Sequence, residues 1–345
     1  MRREHPAWRA FLSDRRAVAA GLFLCVEILL VLLLPLLLDQ DPNLTDRNAG
    51  FWAPPSREHL LGTDDVGRDL FARLLYGGQI SLLVGFASAA LGTVLGVPLG
   101  LLAGYKGGKW EYWIMRACDT FQSFPSIILV LAMVSLLGPS VWNIILVIGG
   151  LGWASVARLV YSGTLSAKKT EYVEASRALG ACDRDILFRT ILPNVVAPVW
   201  ATLPLKVVRA ILSESSLSFL GVGLRTPQAS WGNLTQSAME LVTLTTRPWA
   251  WLPPGLCIVA TALALLLVGE GLRRALNPRK REGFSLPFSP KRCTIRRPNR
   301  RKKYDSQMEV LPNEKNEDHL HPGSGHGFSG GSGSHDEKWH GCGPV

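Results

Sequence analysis

The side chains with the most chemistry to offer are Lys206, Arg209 and Glu214, ionisable groups in an otherwise apolar stretch. Charge inside a membrane-depth helix is costly and faces a cavity, a partner or another charge. Glu214 falls on roughly the same helical face as Lys206. Two readings stand: internal pairing or snorkelling, or a pathway lined by Lys206, Arg209 and Glu214 whose cations favour solutes bearing a carboxylate. Other chemistries are poorly provided for. No GxxxxGK[ST] phosphate loop occurs, so phosphoryl transfer is not expected of this chain. Cys25, Cys118, Cys182, Cys257, Cys293 and Cys342 form no CxxC pair, which indicates neither a disulfide framework nor a metal site. His319, His321, His326, His335 and His340 are irregularly spaced in a tail without apolar periodicity, which argues against specific metal binding.

The elements that would position these groups are apolar blocks rather than amphipathic stripes. Among the 345 residues 47% are hydrophobic, too many for an ordinary soluble domain. The block 17–38 carries one charge, Glu27, and suffices to cross a hydrocarbon core of roughly 30 Å. It is too long for a signal-peptide core and ends in Leu38-Asp39-Gln40-Asp41 without a small-residue cleavage site, so it reads as a retained anchor. Further spans are expected at 81–105, 113–137, 141–160, 195–220 and 249–268, giving an all-α integral membrane fold with six transmembrane helices. Gly92, Gly96 and Gly100 make a small-residue stripe suited to close helix packing. Val66, Leu70 and Leu74 predict a short amphipathic helix on the external face.

The net charge of +10 sits mainly at block ends and in the tail, a membrane pattern rather than a nucleic-acid one. Arg2, Arg3, Arg9, Arg15 and Arg16 place the N-terminus in the cytoplasm. Alternation then puts 39–79, with Asp39, Asp41, Asp46, Asp64, Asp65 and Asp69, outside, and 162–194 and the residues after Arg273 inside. The organisation expected is a cytoplasmic segment 1–16, the anchor 17–38, an external loop 39–79, a five-helix core 80–272 with a cytoplasmic loop 165–194, and a tail 273–345. That tail is basic and then rich in Gly, Ser and His, so disorder is the default expectation.

Within the loop, Thr170 is placed to cap a short helix whose first turn carries Glu171 and Glu174, favourable at the positive end of the helix dipole. Gly180 suits the C′ position, Asp183 suits the cap of a second helix, and Pro193 should limit it. By these rules alone the segment is a compact helical hairpin with a shallow surface at Ala175, Ser176, Ala178 and Gly180.

Glu174-Ala175-Ser176, then Gly180, then Ile191-Leu192-Pro193 resembles the coupling motif of ABC transporter permeases, with Ser176 replacing the family's second alanine. The segment from His59 through Gly62, Thr63, Asp64, Asp65, Gly67 and Arg68 to Asp69 resembles permeases of the dipeptide, oligopeptide and nickel import class. So do Glu214 through Gly223, Ser230-Trp231-Gly232, and Gly269 through Arg279, although Glu270, Arg274 and Asn277 stand where that family more often has Asp. The likeness covers about residues 10–280 and is strongest to the second, C-type subunit with its single leading anchor.

The resemblance implies a transmembrane permease subunit of an ATP-driven, binding-protein-dependent importer in a bacterial or archaeal inner membrane. It implies a homologous B-type permease, one or two ABC ATPase subunits and an external solute-binding protein as partners. ATP and Mg²⁺ would sit on the ATPases, so this chain would bind no cofactor and catalyse nothing. ATPase coupling would fall on Glu171, Glu174, Ala175, Ser176, Leu179, Gly180, Ile191, Leu192 and Pro193. Di- and oligopeptides are the expected cargo, with nickel-chelates, opines and glutathione as alternatives and an ion-coupled secondary carrier as a remoter one.

Overall fold

The computed structural model of the protein describes residues 10–38 and 41–276. The expectations for Arg2, Arg3, Arg9, Asp39, Cys293, Cys342, the five histidines and the tail from 277 lie outside the described residues. Every long element is a helix: α1 Arg15–Leu38, α2 Leu70–Lys106, α3 Gly108–Ser123, α4 Ser126–Leu137, α5 Val141–Lys168, α6 Glu171–Ala178, α7 Asp183–Phe219, α8 Trp231–Ser237, α9 Leu241–Thr246 and α10 Pro248–Leu276.

Five of these (α1, α2, α5, α7 and α10) are long and apolar enough to cross a membrane, and α3 with α4 makes a sixth if counted as one bent span. The third span is thus not the continuous helix expected over 113–137. α3 and α4 meet at 90° around Phe124-Pro125. Proline supplies no amide and pushes its predecessor into extended backbone, and Phe124 has ψ 144°. The remaining spans run past their apolar blocks. The short helix expected around Val66 is instead absorbed into α2, which starts at Leu70, capped by Asp69 Oδ1 accepting the Ala72 amide at 2.8 Å.

α2 and α5 form the centre because glycine lets their backbones touch. A Cβ added at Gly96 would stand 2.5 Å from Val156 Cβ, and one at Gly100 2.4 Å from the Ala157 carbonyl oxygen. Gly104 extends the stripe, its added Cβ falling 2.7 Å from Thr164 Cβ. α1 lies against α10 along Ala17, Ala20, Leu24, Glu27 and Val31, while Leu22, Leu29 and Leu36 on its other face are exposed. An outward apolar face on a long helix is what lipid solvates. The Thr261 hydroxyl lies 2.6 Å from both Glu27 Oε1 and the Cys257 carbonyl, and the buried Glu27 Oε2 has no partner among the described residues.

At one end, residues 41–69 fold into a polar knot. Asp64, 1% exposed, accepts the amides of Val66 and Arg68 through Oδ1 and Arg68 Nε at 2.6 Å through Oδ2, with Arg73 Nε 3.4 Å away. His59 Nδ1 stands 2.8 Å from Asp69 Oδ2, and its Nε2 stands 3.4 Å from Asp46 Oδ2. The Asp69 carboxylate holds the His59 imidazole above its ordinary pKa, and the Asn48 amide holds Asp46 below its own. A raised histidine stabilises the folded loop fully below its unfolded value of about 6.5 and loses that contribution as pH rises through the folded value. A depressed aspartate contributes above its unfolded value of about 3.9 and stops contributing as pH falls through the folded one. Amide exchange at Asp46, Trp52 and Asp64, corrected for intrinsic rates, should therefore be slowest between about pH 4 and 6.5. His59→Gln should flatten the alkaline side of that profile; an unchanged profile would show that the bridge does not hold the loop.

Candidate functional site

The loop between α5 and α7 is a pinned hairpin with a bare tip. Val173 on α6 is fully buried beside Ile186, Ile191 and Val195 of α7 and Val156 and Val160 of α5. Glu171, Glu174, Ala175, Leu179 and Gly180 are exposed and Ser176 partly so, with Leu179 at 88%. Gly180 has φ +82°; its amide donates to the Arg177 carbonyl and that of Ala181 to the Ser176 carbonyl, a Schellman closure that needs a left-handed residue. Ser176 Oγ donates to the Tyr172 carbonyl at 2.8 Å, so the hydroxyl is spent within α6 and leaves the surface as shallow as alanine would.

Three local expectations are corrected. Thr170 occupies the cap position without capping; its hydroxyl donates to the Ala167 carbonyl at 2.6 Å instead. Cys182, not Asp183, occupies the cap position of the next helix and makes no capping bond, while Asp183 Oδ1 accepts the Tyr105 hydroxyl at 2.5 Å and ties the loop to the end of α2. Pro193 does not end a helix. Ile186–Ile191 winds as a π-turn directly ahead of it, and the chain continues to Phe219 as α7. A π-turn rephases the ladder where proline cannot donate. Ile191 is buried, Leu192 is half-buried and Pro193 is exposed, so Ile191 serves the packing beneath the hairpin.

A cavity of about 370 Å³ lies between α2, α3, α4, α5 and α7, and Lys206 and Arg209 both line it. Lys206 Nζ donates to Ser155 Oγ at 2.8 Å. Neither cation has a carboxylate partner among the described residues. Internal pairing with Glu214 is ruled out, because Glu214 is elsewhere: fully buried, it accepts hydroxyls from Ser218 at 2.8 Å and Ser81 at 3.3 Å. Ser81 Oγ also accepts the Trp231 amide, and Trp231 Nε1 donates to the Leu74 carbonyl. Glu214 thus knits α7 to α2 and α8 and does not border the cavity. Ser88 and Ser155, which do border it, escaped the sequence reading; Ser88 lies one helical turn before Gly92 on the small-residue stripe, the signal that could have found it.

Helices with lipid-facing apolar sides, a pinned hairpin at one end and a polar cavity within define a multi-pass membrane protein. The family model described as binding-protein-dependent transport system inner membrane component matches residues 96–282, and that for the N-terminal TM domain of oligopeptide transport permease C matches 5–55. A Brucella suis protein provisionally named a peptide permease is 40% identical over 270 residues, 78% of this chain and 89% of that one. The glutathione transport system permease protein GsiD of Pectobacterium atrosepticum is 39% identical over 276 residues, 79% of this chain and 90% of that one. The chain belongs to the binding-protein-dependent transport system inner membrane component family and is a permease subunit of an ABC transporter. An inward-facing MetNI methionine ABC transporter structure shares the fold, with TM-score 0.50 and 20% identity over 60% of this chain and 98% of that one.

Proposed function

We propose that the exposed Glu174–Leu179 face is where an ABC ATPase docks, and that this permease imports small peptides or peptide-like solutes such as glutathione. The observation that carries the docking is Leu179: an apolar side chain 88% exposed at the tip of a hairpin whose base, Val173, Ile186 and Ile191, is packed away, with Tyr172 and Phe188 also exposed. A large apolar group held in water on a rigid tip is suited to a partner's groove. The cargo reading rests on the relatives' names, which support peptides and glutathione and lend nothing to nickel-chelates or opines.

In this reading both termini and the hairpin are cytoplasmic, in keeping with the arginines near the start of α1. A homologous second permease completes the pathway, a solute-binding protein delivers cargo at the 41–69 end, and ATP is hydrolysed on the partner, with this chain transmitting motion. Closure of the ATPases would push the hairpin and shift α7 as a body.

Leu179→Asp should leave the isolated chain's thermal stability unchanged, since the side chain touches little. Co-purification of its partner ATPase subunits should fall by at least about tenfold, the loss typical of a central anchor residue. Retention at the wild-type level would refute docking through this face.

A further inference from the structure

Resting on the permease reading, we infer that the cavity holding Lys206 and Arg209 is a carboxylate-binding station for cargo in transit.

Lys206, Arg209 and Ser213 follow one another at three- and four-residue spacing, so one face of α7 presents two cations and a hydroxyl to the space. Like charges at that spacing repel unless an anion lies between them. Among the described residues the protein supplies none. The one acid–base pair bridging the neighbouring α3 and α5, Asp119 with Arg158, is closed on itself.

Ser88 gives an independent indication. It is 2% exposed, lines the cavity, and its Oγ has no hydrogen-bond partner. Buried hydroxyls are normally satisfied, and an orphan facing a cavity points to a group that enters it. Gln122 adds an amide and Ser155 steers the Lys206 ammonium. Phe121, Phe124, Leu129 and Ile148 supply an apolar wall, and the volume is of the order that suits a small solute. Two cations with hydroxyl donors match a carboxylate; the apolar wall matches the short side chains of a peptide-like molecule. Because five separate helices contribute, relative movement of α7 would change the spacing of these groups and with it the hold on the anion.

The test uses the whole transporter, this chain with its partner permease, ATPases and binding protein, reconstituted in liposomes. The probe is a pool of dipeptides, tripeptides and glutathione, each as the free acid and with its carboxylates amidated, with uptake read by mass spectrometry. Free acids should enter and amides should not. Lys206→Met and Arg209→Met should each cut acid uptake by at least about tenfold, the usual scale for deleting one partner of a desolvated charge contact. Lys206→Arg should restore a large part of it, which a purely structural loss would not. ATPase co-purification reports assembly in every variant. Amides carried as well as acids, no acid carried, or variants carrying acids at the wild-type rate would each overturn the station. Failure of the wild-type chain to retain an ATPase would instead overturn the coupling reading on which it rests.

Discussion

Replacing Gly100 by leucine is expected to abolish the stable fold of the bundle. An added Cβ there meets the Ala157 carbonyl oxygen at 2.4 Å, Val160 Cβ at 2.8 Å and Ala157 Cα at 3.0 Å, and two of those three atoms are backbone. A flexible side chain can rotate away from such a clash, whereas backbone moves only if α2 and α5 part. Overpacking of a core costs roughly 1–3 kcal/mol where neighbours can adjust, and more where they cannot. Gly92, Gly96 and Gly104 hold the same seam, so displacement at Gly100 strips contacts along its length. In detergent the variant should run as aggregate and show no cooperative unfolding transition. Gly150→Leu is the control: a Cβ there meets nothing within 4 Å, and its Tm should match that of the native chain. Equal behaviour of the two variants would show that glycine contact does not set the seam.

Val173→Asp should detach the hairpin while sparing the bundle. The side chain is fully buried among apolar residues of α5 and α7. An unpaired charge at such a place costs about 3–5 kcal/mol, more than a helix of eight residues can recover from local bonds. Amide protection across 171–191 should vanish with that of α2 and α5 intact, and ATP-driven uptake should fall to background. Leu179→Asp should silence uptake with protection retained, so the pair separates loss of the hairpin's shape from loss of its contact surface. Protection of α6 persisting in Val173→Asp would contradict the pinning.

What sequence could and could not supply divides along range. Apolar blocks located the long helices because hydrocarbon length is written in consecutive residues, and Gly92, Gly96 and Gly100 announced their seam through spacing alone. Helix ends ran on, to Lys168 in α5 and to Leu276 in α10, because polar flanks continue the backbone ladder after the apolar signal stops. Prolines misled in both directions: Pro125 breaks a span, whereas Pro193 is passed by a π-turn, and only neighbouring structure decides which. Gly180 was legible from its place after a capped run, but the pinning of Val173 was not, since its partners lie on α5 and α7. The fate of Glu214 was likewise hidden. Its helical phase agreed with Lys206, yet one of the two hydroxyls that claim it belongs to Ser81, 133 residues earlier. A cavity assembled from five helices has no local signature, which is why Lys206 and Arg209 were visible and Ser88 and Ser155 were not.

Three prolines, Pro193, Pro198 and Pro204, fall in α7 between the hairpin and Lys206, and each withholds one amide from the ladder. At 1.5 Å per residue the stretch from Asp183 to Lys206 is about 35 Å long. A rod of that length missing several rungs is a leaf spring rather than a crank. Bending of about 10° at Pro193, about 20 Å before Lys206, would sweep the cavity-lining end through roughly 3 Å with Val173 still seated at the other. Stiffness in that stretch would then set how far a given stroke at the hairpin reaches. Restoring the amides with alanine would lengthen the throw of a rigid helix and at the same time oblige the plug around Val173 to give way.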